Sequence, residues 1–313
     1  MSGADALLSG RGAVVSGGSR GIGRAVAELL AGLGAGVVVN GRDPQAVQET
    51  VAAITAAGGR ATAVVGAADD ERIARSLVDE CIGAFGRLDA LINCAGIAEP
   101  AGSSILNITA DEFDHLIGAH LGTAFHTCRA AAPVMVEQRH GSIVNTSSVA
   151  FLGDYGGTGY PAGKGAVNAL TMAIAAELKA YGVRANVVCP GARTRLSTGA
   201  DYERHIEDLH RRGLLDDMTR QASLDSAPPV FVAPVYGYLV SDLARRDGPN
   251  PCRRRRFRGQ LRPSNTAPAG LPRSSSGRAV VDRGGAHDDR RGGDAMTRRI
   301  RTCRRLRPTP GRW

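Results

Sequence analysis

Short unbroken apolar runs alternate along this chain with longer stretches whose apolar positions recur every three or four residues. The runs AVVSG (13–17), GVVVNG (36–41), ATAVVG (61–66), LDALINCAG (88–96), GSIVNTSS (141–148) and VRANVVC (183–189) are continuous and largely β-branched. They read as strands buried on both faces. Helical periodicity fills the gaps at 21–33, 44–57, 70–84, 110–138 and 160–181. The second of these has Asp43 placed as N-cap, Pro44 in the first turn and Gly58-Gly59 as a stop; the fourth has Thr109 ahead of Asp111 and Glu112. Strand and helix in alternation require right-handed crossovers, which predict an α/β fold with a doubly wound parallel sheet of Rossmann type.

Beyond the last strand, 198–223 reads as one or two exposed helices and 229–245 as another with an apolar face. After residue 245 the periodicity stops, and Arg, Pro, Gly, Ser and Ala dominate. A segment so poor in apolar residues cannot offset its ordering entropy by burial and is expected to be disordered. The predicted organisation is one domain at 1–245, with a tail at 246–313.

Composition sharpens that division. The 313 residues are 43% hydrophobic, enough for a sizeable core. Twenty of the 39 basic residues but only five of the 30 acidic ones lie at 245–313, leaving 19 basic against 25 acidic before it. The basic balance therefore belongs to the tail. Only two lysines, Lys164 and Lys179, occur in the chain, as expected of a GC-rich gene. Six cysteines without a C-x-x-C pair argue against a zinc site or a disulfide framework, and no metal is expected. No leader pattern and no apolar stretch of about 18 residues is present, so a cytoplasmic protein without a membrane partner is expected.

Two motifs carry candidate chemistry. SGGSRGIG (16–23) follows the first strand and opens the first helix. Gly17 permits the tight turn, Gly21 lets backbone approach a pyrophosphate and Gly23 allows close helix packing, with Ser19, Arg20 and Ile22 in the same cradle. About twenty residues on, where an acidic residue would favour NAD, stand Asn40, Gly41 and Arg42. Arg20 and Arg42 suit a ribose 2′-phosphate, so NADPH is expected, with NADH as the alternative and Asp43 opposing the assignment. In YPAGK (160–164), Tyr160 and Lys164 fall on one helical face. A phenol near its ordinary pKa of about 10 shuttles protons poorly until a nearby cation favours its ionised form.

Together with NCAG (93–96), NTSS (145–148) and PGART (190–194), in that order, these motifs resemble the short-chain dehydrogenase/reductase family over residues 10 to about 245. The resemblance implies an NADP-dependent oxidoreductase interconverting a secondary alcohol and a ketone. Tyr160 would be the general acid or base, and Lys164 would bind the nicotinamide ribose while lowering the Tyr160 pKa. The substrate oxygen would be held by Ser148, judged by its place before Val149-Ala150, or by Ser147, judged by its spacing of 13 from the tyrosine. Asn93, Ala95 and Gly96 would back the adenine and ribose; Pro190 and Gly191 would follow the nicotinamide, with Thr194 near its carboxamide. His120 stands where an asparagine often holds a relay water, and reads equally as a buried histidine bonded to backbone. Ala67 replaces a usual adenine-contacting aspartate. The implied partner is a small hydrophobic alcohol or ketone under a lid at 195–227. Candidate lining residues are Tyr202, Ile206, Leu209, Leu214 and Met218, with Phe151, Leu152 and Tyr155 nearby.

The tail departs from the family. A seventh strand is expected there, and nothing after Arg245 matches it, so the composition break suggests a frameshift near residue 246. Homo-oligomers would form if the C-terminus permits. The four arginines at 253–256 would attract polyanions, but with only Phe257 and Trp313 available for base stacking no specific nucleic-acid partner is expected. A second reading is therefore a catalytically inactive Rossmann protein, or a polyanion-binding protein acting through the tail.

Overall fold

Among the described residues six strands pair in parallel in the order β3-β2-β1-β4-β5-β6. They are β1 (Gly12–Ser16), β2 (Gly36–Gly41), β3 (Arg60–Val65), β4 (Ala90–Asn93), β5 (Gly141–Thr146) and β6 (Val183–Val188). The computed structural model describes residues 6–246. The expectations of a disordered tail, a frameshift and a missing seventh strand fall on 247–313, outside the described residues. Strand order reverses between β1 and β4, and at such a switch point a doubly wound sheet opens a crevice beyond the strands' C-terminal ends. Continuous apolar runs are buried throughout β1, β2, β4 and β5, whereas the edge strands β3 and β6 are partly exposed.

Among the described residues the α-helices are α1 (Gly21–Gly32), α2 (Pro44–Ala56), α3 (Glu71–Phe85), α4 (Ala110–Ile117), α5 (Thr123–Glu137), α6 (Gly159–Leu178), α7 (Ala200–Arg211), α8 (Asp217–Leu224), α9 (Ala233–Val240) and α10 (Leu243–Arg246). Successive strand residues point to opposite faces. Val15, Val37 and Ile92 pack with Val26, Leu30 and Tyr236 of α1 and α9 on one side. Val14, Val38 and Leu91 pack with Leu77, Cys128 and Met135 of α3 and α5 on the other. Asp43 caps α2 through the backbone N–H groups of Gln45 and Ala46, and Thr109 with Glu112 forms a capping box on α4.

Two expected helices are divided. The stretch 110–138 is interrupted at Gly118–Gly122 by a wide π-type turn that separates α4 from α5 and holds His120 at its centre. Gly118 and Gly122, one turn apart, both face Asp69, so the wall here is backbone and the helix can widen without displacing side chains. The stretch 229–245 begins with a short 3-10 turn at Pro229–Phe231 and breaks at Ser241, whose backbone is extended.

At the opposite end of the sheet from the crevice, charged groups tie β1, β4 and β5 together. Asp89, 1% exposed, accepts from the Gly12 N–H at 3.0 Å and from two Arg87 nitrogens at 2.7 Å, with His140 Nδ1 at 3.1 Å. Burial pushes the Asp89 pKa up, but the contacts with His140, Arg87 and Gly12 together outweigh it and hold the carboxyl at about 2. A carboxyl held below its ordinary 3.8 stabilises the fold fully above that value and loses its contribution as pH falls from about 4 towards 2. Asp89→Asn is therefore expected to cost about 2 kcal/mol at neutral pH and to flatten the acid loss of stability in that window. Urea unfolding at a series of pH values checks this, and an equal acid loss in both proteins would assign it elsewhere.

Candidate active site

The C-terminal ends of the strands open on a cleft of about 1090 Å³. At one end the glycine-rich turn leads into α1. Gly17 has φ +67°, and a Cβ there would lie 2.6 Å from the Ala95 nitrogen; a Cβ on Gly23 would lie 2.1 Å from the Gly17 carbonyl oxygen. At Gly21, φ +52°, the space is open and the requirement is conformational. No side chain caps α1 at Arg20, so its first-turn N–H groups have no capping partner beside the cleft. An uncapped helix start against a glycine-rich turn fits a pyrophosphate.

At the end of β2, the Asn40 amide is buried and donates to the carbonyls of Val64 and Gly66, both at 3.0 Å, tying β2 to β3. A Cβ on Gly41 would fall 2.4 Å from Ser19 Oγ, so β2 ends in bare backbone against the Ser19 side chain. Arg20 is paired with Asp43. Arg42 lies exposed on the cleft wall, and among the described residues no carboxylate pairs with it.

Asn93 ends β4 behind the wall, not on it. Its Oδ1 accepts from Ser16 and Thr127 hydroxyls at 2.9 Å, and its Nδ2 donates to Asn145 Oδ1 at 2.8 Å. Asn145 in turn donates to Thr171 on α6 at 2.8 Å. Ala95 and Gly96 do line the cleft, as do Pro190, Gly191, Thr194, Ala67, Ala68 and Asp69.

At the other end, Tyr160 and Lys164 sit one turn apart on α6, with Lys164 Nζ 5.5 Å from the Tyr160 ring centroid. Ser148 starts a 3-10 turn, accepts from the Ala150 N–H and hydrogen-bonds to Tyr160. Ser147 is buried and donates to the Lys164 carbonyl at 3.0 Å. Of the two serines, Ser148 is the one that meets the phenol. Burial raises the Tyr160 pKa, and the Ser148 bond only partly draws it back. The net shift is thus upward, opposite to the expected pull of Lys164. That cation is itself buried, donates to the Thr146 carbonyl at 3.0 Å, and has its pKa drawn down by burial to about 8.

His120 is 2% exposed and meets Tyr160 edge-on, with ring centroids 4.9 Å apart. Burial first and Lys164 second pull its pKa to about 3, against a small opposing effect of the Ile97 backbone, so the ring is neutral. Neither ring nitrogen makes a well-formed hydrogen bond. The ring stands behind the cleft wall, where Gly96 and Gly163 leave it room: a Cβ on Gly96 would come within 2.9 Å of the ring and one on Gly163 within 3.3 Å.

Of the candidate lid residues, Tyr202 lines the cleft, while Ile206 and Leu209 pack with Leu215 in a small core of their own; Leu214 and Met218 are exposed. Tyr155 also lines the cleft, and its hydroxyl meets Ser223 at 3.1 Å; Phe151 and Leu152 do not line it. Glu99, His115, Cys189 and His205 line the cleft without having been singled out from the sequence. Cys189 directly precedes Pro190 and His205 lies in the expected lid, whereas Glu99 and His115 are brought in by contacts between distant segments.

A parallel doubly wound sheet with a glycine cradle at its switch point defines a nucleotide-binding protein of the Rossmann class. The model of the short chain dehydrogenase family matches residues 11–202, and the chain belongs to that family of oxidoreductases, which use NAD or NADP on small molecules. It is similar to the short-chain reductase protein NovJ of Streptomyces niveus, 36% identical over 251 residues that cover 76% of this chain and 93% of that protein. It is also similar to the hydroxyacyl-CoA dehydrogenase ChsB1 of Mycobacterium tuberculosis, 39% identical over 251 residues, 76% of this chain and 74% of that protein. The crystal structure of a short chain dehydrogenase from Mycobacterium avium matches with a TM-score of 0.62 and 33% identity, over 76% of this chain and 79% of that one. No helix among the described residues is long and apolar enough to cross a membrane.

Proposed function

We propose that the protein is an NADP-dependent oxidoreductase interconverting a secondary alcohol and a ketone, with Tyr160 giving or taking the proton. The observation that carries this reading is the meeting of Ser148, Tyr160 and Lys164 at one end of a cleft whose other end is the glycine cradle. When bound, the dinucleotide supplies or accepts the hydride at the substrate carbon. Gly17, Ser19, Arg20, Gly21, Ile22 and Gly23 would hold its pyrophosphate, and Arg42, with Asn40 beneath, its adenosine end. Ala95, Gly96, Pro190, Gly191 and Thr194 would flank it, with Asn93 acting from behind the wall, and Tyr160 and Lys164 would meet the nicotinamide ribose.

For ketone reduction, a Tyr160 pKa raised by burial keeps the phenol protonated at neutral pH, ready to give its proton to the carbonyl oxygen. Ser148 holds that oxygen. Lys164, charged below a pKa of about 8, stabilises the phenolate left behind. His120, neutral because buried, offers one donating and one accepting nitrogen beside Tyr160, which suits a proton relay away from the phenol.

The cofactor preference rests on Arg42 more than on Arg20, because Asp43 already engages Arg20. Arg42→Glu is expected to weaken NADPH binding about tenfold or more while leaving NADH within about threefold, measured by fluorescence titration. Equal losses for both would remove Arg42 from the 2′-phosphate site. The apolar share of the cleft wall, and the reductase and hydroxyacyl-CoA dehydrogenase names of the relatives, support a hydrophobic carbonyl substrate. The test is consumption of NADPH with a panel of hydrophobic ketones, alongside thermal unfolding with each nucleotide. No turnover of any ketone and no stabilisation by either nucleotide would overturn the proposal.

A further inference from the structure

Helix α6 carries Tyr160 in its first turn and lacks a cap of its own. Thr158, at the N-cap position, has an atypical backbone (φ −128°, ψ −52°) and makes no side-chain capping bond. The first N–H groups of a helix have no partner within it, and they must be satisfied from elsewhere. Here the partner arrives from about sixty residues upstream. Glu99, in the loop that follows Gly96, accepts through Oε1 from the N–H of Thr158 at 2.9 Å and of Gly159 at 3.2 Å. Its Oε2 accepts from the N–H of Tyr160 itself. Pro161 has no N–H, and the Ala162 N–H reaches the Thr158 carbonyl at 3.3 Å. Glu99 therefore satisfies each first-turn donor that would otherwise lack a partner.

The surroundings are built around this contact. Ser103 Oγ donates to Glu99 Oε1 at 2.9 Å and orients the carboxylate. Gly157, at φ +79°, brings the approaching chain so close that a Cβ there would lie 3.0 Å from Glu99 Cδ. Among the described residues no cation pairs with Glu99, so its charge is directed at the positive end of α6. We propose that Glu99 is a positioning residue for Tyr160: supplied by the loop that also forms the cleft wall at Ala95 and Gly96, it fixes the height and tilt of the phenol relative to the cofactor cradle. Misplacing a proton-transferring group by about 1 Å costs up to about a hundredfold in rate. The inference rests on the reading of Tyr160 as the proton-transferring group.

The experiment compares the wild-type chain with Glu99→Gln, Glu99→Ala and Glu99→Ala/Thr158→Asp. It measures NADPH dissociation constant, kcat, KM and thermal midpoint with one accepted ketone. Glu99→Ala is expected to lower kcat about tenfold or more with KM and NADPH affinity within about threefold of wild type. Glu99→Gln keeps one acceptor oxygen and loses the other, and is expected to fall between. Thr158→Asp restores a cap from within the segment, since an aspartate there can accept from the second helical N–H, that of Tyr160 itself, and is expected to recover most of the lost kcat. Should Glu99→Ala not fold, Glu99→Gln carries the comparison. An unchanged kcat in the folded Glu99 variants, a loss confined to KM, or no recovery in the double variant would overturn the inference. Absence of turnover in the wild type would instead overturn the reading of Tyr160.

Discussion

Tyr160→Phe is expected to lower kcat about a thousandfold, because positioned general acid–base groups contribute roughly a hundred- to ten-thousandfold. The ring keeps its volume and its edge-on contact with His120. Ser148 keeps its bond with the Ala150 N–H, so no buried partner is stranded. The thermal midpoint and NADPH affinity should therefore stay close to wild type, which separates a chemical loss from a structural one. In the wild type, ketone reduction should decline as pH rises through about 8, where Lys164 loses its proton and with it the charge that stabilises the phenolate. Steady-state rates across pH for both proteins provide the check. A Tyr160→Phe enzyme as fast as the wild type would take the phenol out of the reaction.

Gly23→Ala should give the largest loss of stability among single-methyl additions in the cradle. Its Cβ would lie 2.1 Å from the Gly17 carbonyl oxygen and 2.8 Å from the carbonyl carbon, both backbone atoms. Gly17 has no room to retreat, since it already rests against the Ala95 backbone. Relief therefore means moving α1 off the turn, at about 3 kcal/mol or more and a fall in thermal midpoint of roughly 6–12 °C. The stabilisation by NADPH should disappear with it, because the same movement opens the pyrophosphate cradle. Gly83→Ala on α3, where an added Cβ meets nothing within 4 Å, is the control and should raise stability by up to about 1 kcal/mol. Similar midpoints for the two variants would show that α1 yields more easily than the backbone contact implies.

The sheet was legible because its strands are short runs rich in apolar and β-branched residues, and because early helices such as those at Asp43 and Thr109 begin at capping residues that the structure uses. The cradle glycines were legible for the same kind of reason, since their chemistry lies within eight consecutive residues. What was not legible depends on contacts between distant positions. Periodicity through 110–138 is uninterrupted, and only the packing of Gly118 and Gly122 against Asp69 reveals a widened turn there. Asn40 and Asn93 look like ligand residues in the sequence. In the fold, Asn40 lines the cleft while its amide ties strand to strand through carbonyls, and Asn93 joins a buried line of side chains behind the wall. The pairing of Arg20 with Asp43 is a contact that motif spacing does not reveal, and Glu99 has no neighbour in sequence that hints at α6.

The line from Ser16 through Asn93 and Asn145 to Thr171 has a consequence for how the sheet knows its own alignment. Strands apolar on both faces carry little information about their relative offset, since a strand displaced by two residues would still bury valine, leucine or isoleucine. Ser16 is opposite Asn93, and Asn93 is opposite Asn145, in adjacent parallel strands. Any displaced pairing would leave amides facing hydrocarbon with no partner, a penalty of several kcal/mol for the group. These polar residues act as alignment marks on otherwise interchangeable strands, and they set the relative height of the turn after β1, which forms the cradle, and of the segment after β5, which presents Ser148.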